Sequence, residues 1–249
     1  YAYALVDALE KIVSMTLVEA VIPAGFDYAT DLLDEKYHFM FDLTNTNASG
    51  IVEDLLTILS IGRKAVDLGV IDYLNTSEFS IVGIKDDVVL ILEQLRDLNI
   101  LVGKNQAILD LVFEELELEV DTSNLNLTDE FNLVIEVVKE AFVVFENNSL
   151  NTLDDILTLI DDLQIDDFVT TENVNSLIVI LDLITSSALV KEVALPAYDK
   201  FVYPGFEDTD FEALLNLDVY TKDTLFEDLK SLITVLEQLV AFGAVDIYN

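Results

Sequence analysis

A chain of 249 residues with 48 acidic side chains, 12 basic ones and a formal net charge of −36 excludes partners that need clustered Lys and Arg, namely nucleic acid and anionic membrane surfaces. Hydrophobic residues make up 52% of it, so core material is plentiful and the composition is not that of a disordered chain. It has no cysteine, which removes disulfides, thiolate metal sites and cysteine nucleophiles.

The chain opens on Tyr1 already in helical register, which predicts a piece of a longer polypeptide with any targeting signal outside it. The first predicted helix covers Ala4–Ile22 and stops at Pro23-Ala24-Gly25, because a proline loses a backbone hydrogen bond and clashes with the preceding turn. After a shorter helix, His38-Phe39-Met40-Phe41-Asp42-Leu43 alternates with period two, which predicts an extended piece. Ser49 is a good N-cap for the long helix that follows, and Gly69 a good residue to end it.

The same parts recur downstream. A helix over Asp86–Val102 is expected to break at Gly103 and Asn105; Leu116–Asp121 alternates; Thr128 is placed to cap a second long helix. Leu153–Leu163 has helical spacing and reads as a connector. A third helix, Val174–Leu195, is expected to end at Pro196-Ala197, followed by the alternating Leu215–Tyr220 and a cap at Thr221. In the last helix Leu225, Leu229, Leu232, Leu236 and Leu239 form an apolar stripe, with Leu232 at its centre and expected to be buried; Gly243 is the expected left-handed end.

The two ends also share residues. Glu53-Asp54-Leu55, Gly69 and Asp72 match Glu227-Asp228-Leu229, Gly243 and Asp246 at one offset. Leu9, Leu17, Val18 and Asp27 match Leu181, Leu189, Val190 and Asp199. A degenerate middle copy pairs Leu9 with Leu92, Phe26 with Leu109 and Asp27 with Asp110. The expected fold is all-α: three tandem units of antiparallel helices with short extended connectors, at 1–80, 81–170 (with the connector helix) and 171–249, forming an elongated array.

Chemistry-bearing motifs are sparse. His38 is the one histidine, too little for a zinc site, and it reads as structural. Paired carboxylates suffice for glycoside hydrolysis, but 48 candidates carry no specificity and there is no Trp to stack on a sugar. Asp161-Asp162, Asp166-Asp167 and Glu207-Asp208-Thr209-Asp210 lack the spacing of a calcium loop and imply only weak, non-specific cation binding. Asn47, Asn75, Asn126 and Asn147 sit in Asn-x-Ser/Thr sequons, as loops rich in these residues often do. No phosphate loop, dinucleotide fingerprint or HExxH occurs, so no cofactor is expected. The most apolar stretch, Val174–Val190, is too short to span a membrane and carries Asp182.

The expected function is therefore non-catalytic: a structural spacer or scaffold segment of a larger acidic helical-repeat protein, partnered by flanking repeats of the same polypeptide and by other proteins. An extracellular or cell-surface location is expected, with the cytoplasm as the alternative. A ligand-binding or adhesin-type module using an interhelical groove is the second reading, with Tyr198, Phe201, Tyr203 and Phe206 as its surface. A carboxylate-based hydrolase is the third.

Overall fold

The computed structural model describes residues 2–43, 47–68, 82–152, 155, 170–205, 217 and 220–244. The fold is all-α, and no strand occurs among the described residues. The helices are α1 (Ala2–Val13), α2 (Thr16–Thr30), α3 (Ala48–Asp67), α4 (Lys85–Arg96), α5 (Asn99–Glu115), α6 (Leu127–Asn147), α7 (Thr171–Ser186), α8 (Ala188–Ala197) and α9 (Lys222–Ala241). Short 3-10 turns cover Glu35–Phe41, Val82–Ile84 and Tyr203–Gly205, and a π turn covers Tyr198–Val202.

The helix breaks differ from those expected. Pro23 does not end a helix; it lies inside α2, exposed to solvent. The break comes earlier, at Ser14-Met15, where the Met15 N–H reaches the Ile12 carbonyl at 3.1 Å and Met15 turns to an extended conformation. The third predicted helix likewise splits at Ser187, whose hydroxyl accepts from the Val190 N–H at 2.9 Å and caps α8. Pro196 sits in the last turn of α8, and the winding widens directly afterwards into the π turn. In the middle stretch the predicted Asp86–Val102 helix is divided at Asp97-Leu98, and α5 is additionally kinked at Lys104, between Gly103 and Asn105.

The segment around His38 is a 3-10 turn, not an extended piece. With no strand to pair with, its aromatic residues fold back on α2, and Phe41 meets Phe26 edge to face with centroids 5.2 Å apart. Leu116–Asp121 follows α5 as irregular chain. Most of Leu215–Tyr220, the Leu153–Leu163 connector and Gly69 lie outside the described residues.

Each long helix opens on a side-chain cap. The caps are Asn47, accepting from the Gly50 N–H at 2.8 Å, and Asn126, accepting from the Thr128 N–H at 2.9 Å, rather than Ser49 and Thr128. Asparagine caps as well as serine does, so the residue earlier in each sequence takes the role. Thr221 caps α9 as expected, in a reciprocal arrangement with Thr224. Gly243 ends α9 with φ 70, the Ala244 N–H reaching back to the Leu239 carbonyl at 3.0 Å.

Two compact units divide the chain. The first comprises Tyr1–Leu111, Asn126–Asn132 and Leu150–Leu157. In it α1 and α2 pack on α3, and α4 packs on α3 as well; Ile22, Ile51, Leu98 and Leu109 are buried. Arg63 of α3 ties both Asp7 and Glu10 of α1, and these two hydrogen bonds hold its guanidinium further above its ordinary range. The second comprises Val112–Leu125, Leu133–Ser149 and Thr158–Asn249. In it α7 and α8 pack on α9, and Lys222 with Glu192 and Lys191 with Asp223 cross-tie α8 to the start of α9.

The apolar face of α9 is rotated from the expected one. Phe226 and Ile233 are buried, with Leu229, Leu236 and Val240 half-buried beside them. Leu232, the expected centre, is 52% exposed. The reason is that α9 carries two apolar rows, and the one containing Phe226 faces α7 and α8.

Candidate functional site

The expected aromatic surface is only partly assembled. Tyr198, Phe201 and Tyr203 lie on the π turn and the 3-10 turn after α8, and Phe206 lies outside the described residues. The Tyr198 and Tyr203 rings approach to 6.3 Å between centroids, tilted by 39°, and both are half-buried. Phe201 points outward, with the Lys200 ammonium 5.7 Å from its ring centre.

Lys200 anchors this turn. Its ammonium donates to the Leu116 and Glu117 carbonyls at 2.9 and 3.2 Å and to the Glu117 carboxylate at 2.8 Å. These carbonyls close α5, where a cation is favoured by the helix dipole. Glu117 itself adopts a left-handed conformation, φ 50, and the next residue, Leu118, is buried with its N–H on the Phe113 carbonyl at 2.9 Å. The hydrogen bond from Lys200, reinforced by its charge, holds the Glu117 carboxyl below its ordinary value. A depressed carboxylate stabilises the fold above its unfolded pKa, and that contribution is lost as pH falls through the folded value. Lys200→Met should return the Glu117 titration to the ordinary glutamate range when followed by NMR; an unchanged titration would rule out the ion pair.

Three buried polar arrangements were not visible as sites in the sequence. Asp54 of α3, 5% exposed, accepts from the Asn99 N–H at 2.7 Å, the Asn99 side-chain amide at 3.0 Å and the Ile100 N–H at 2.8 Å. It thereby serves the unpaired first turn of α5 from a different helix. Gly50 lets that turn come close, since a Cβ there would meet Asn99 Cγ at 3.3 Å. Lys104, at the α5 kink, donates to the Asp42 carbonyl and lies 3.7 Å from its carboxylate. Asn173, 1% exposed, exchanges two hydrogen bonds with Asn148, each 2.9 Å. The aim of all three is another element of the fold, and each joins segments far apart in sequence.

His38 directs Nε2 to the Leu33 carbonyl at 2.9 Å within its own turn. Among the described residues, no group of three or more His, Asp or Glu is placed to hold a metal ion. The clusters at Asp161-Asp162, Asp166-Asp167 and Glu207–Asp210 lie outside those residues. No helix among them is long and apolar enough to cross a membrane.

Two exposed apolar rows occur among the described residues. One runs along α9 through Leu232, Val235, Leu239 and Phe242. The other runs along α1 through Leu5, Leu9 and Ile12 and continues to Met15 and Leu17 at the start of α2. No protein-family model, curated protein or solved structure matches the chain.

Proposed function

We propose that the chain is a non-catalytic structural segment, a spacer or scaffold piece of a larger acidic helical-repeat protein working outside the cell or at its surface. The observation that supports this is the recurrence of one order of parts. Helix pairs split by one or two residues (α1–α2, α4–α5, α7–α8) each precede, further along the chain, a side-chain cap and a helix of 20 or 21 residues. In the first and third sets the pair packs on the long helix that follows it. The units are the three at 1–80, 81–170 and 171–249, and flanking repeats are their natural partners. In such an array each unit is stabilised by itself and its neighbours, so damage stays local.

Hydrogen exchange tests this. Ile233→Ala, at a buried position of α9, should speed amide exchange in α7, α8 and α9 by at least about tenfold while leaving α1, α2 and α3 unchanged. Loss of protection throughout the chain would mean one shared core and would remove the repeat reading.

A further inference from the structure

The caps of α3 and α6 leave two hydroxyl groups with no work in the fold. Ser49 and Thr128 each occupy the second residue of a long helix, two positions after the asparagine that caps it. The asparagine oxygen does the capping. Asn47 Oδ1 accepts from the Gly50 N–H at 2.8 Å, and Asn126 Oδ1 accepts from the Thr128 and Asp129 N–H groups at 2.9 and 3.4 Å. Among the described residues, neither the Ser49 nor the Thr128 hydroxyl has a hydrogen-bond partner. Asn47, Ser49 and Asn126 are exposed, and Thr128 is half-buried.

An asparagine amide has two ends, an accepting oxygen and a donating nitrogen. At both helix starts the oxygen serves the backbone, so Nδ2 is the end that the cap does not use, and it too has no partner among the described residues. An asparagine with a hydroxyl residue two positions on is the acceptor pattern for an N-linked oligosaccharide. The third long helix supplies the contrast. It is capped by Thr221 and has Asp223 at its second position, where the carboxylate is tied into the fold by Lys191 at 2.7 Å.

We propose that Asn47 and Asn126 are sites of N-linked glycosylation, with an oligosaccharide carried on a polyprenyl pyrophosphate as the donor. The bond formed joins Nδ2 to the anomeric carbon of the first sugar. The bond broken joins that carbon to a pyrophosphate oxygen, which leaves with the electron pair, while the amide gives one proton to a base of the transferring enzyme. Nδ2 keeps one hydrogen and Oδ1 is untouched, so both caps survive the modification. Each sugar then stands as a bulky, hydrated group at the exposed head of a long helix. The inference rests on the extracellular placement proposed above, because such donors serve chains that leave the cytoplasm.

Glycopeptide mass spectrometry of the full chain, recovered from the cells that make it, reads both sites. Asn47 and Asn126 should carry oligosaccharide in most molecules, and an amidase that releases N-linked sugars should leave aspartate at each. Ser49→Ala and Thr128→Ala, made in the same cells, should each lose the sugar at the asparagine two residues before and keep it at the other. Both variants retain their capping asparagine, so helix content by circular dichroism should not change. Bare asparagine at either position overturns the proposal for that position, and a sugar that survives removal of its hydroxyl partner overturns it as well. Protease added to intact cells reads location separately. A chain that is cut there but bare at both asparagines defeats the glycosylation alone; a chain that is protected and bare defeats the extracellular placement with it.

Discussion

Phe226→Ala should lower the unfolding free energy by about 3–5 kcal/mol, the usual cost of emptying a buried aromatic site. Phe226 is 4% exposed and heads the row that continues through Leu229, Ile233 and Leu236 toward α7 and α8. Leu232→Ala, one helical face away and half in solvent, should cost under about 1 kcal/mol. Urea unfolding of the two variants side by side is the measurement. Equal losses would put the inward face back on the leucine stripe and contradict the rotation of α9 described above.

Asp54→Ala should cost about 2–4 kcal/mol, for a different reason. No large volume is lost; two amide N–H groups at the head of α5 lose their acceptor in a half-buried place, and the Asn99 side chain keeps only the Gly50 carbonyl at 3.3 Å. Asp54→Asn should recover at most part of this, because its amide group turns a donor toward donors. Glu53→Ala, at the exposed neighbour, is the control and should be near neutral. Thermal melts give the total loss, and faster exchange at Asn99 and Ile100 would locate it. Unchanged protection at those two amides would mean that the carboxylate does not cap the helix.

The helices were legible in the sequence because long runs of leucine, isoleucine and valine at helical spacing leave few alternatives. Their interruptions were not. Ser14-Met15 and Asp97-Leu98 contain neither glycine nor proline, whereas Pro23 and Pro196, which look like stops, are carried inside helices. A proline removes one hydrogen bond; packing on both sides decides whether the helix continues. The Leu225–Leu239 stripe misled for a related reason. Hydrophobicity marks a row as apolar but not as covered, and α9 has one row that meets α7 and α8 and another that meets solvent. Asp54 had no signature at all among 48 carboxyl groups, because its role depends on Asn99, more than forty residues away. Asn173 and Asn148 are hidden in the same way. Of the expected aromatic surface, Tyr198 and Tyr203 turn to each other and Phe201 away, a division set by the π turn, which a local reading of residue types does not foresee.

The placement of the few cations has a consequence for how such a chain diverges. Arg63 joins α3 to α1, Lys64 joins α3 to α4, Lys191 and Lys222 join α8 to α9, and Lys200 joins the π turn to the end of α5. Each has a specific pair of elements to hold against a background of like charge. Most of the described carboxylates, by contrast, are exposed and replaceable by one another. Under genetic drift the acidic positions are free to wander, even to exchange with asparagine or serine, while loss of Arg63, Lys64 or Lys200 removes a charged tie between the elements it joins. In descendants of this chain these five cations should be the slow-changing landmarks, and an alignment anchored on them should hold its register after the acidic surface has lost all resemblance.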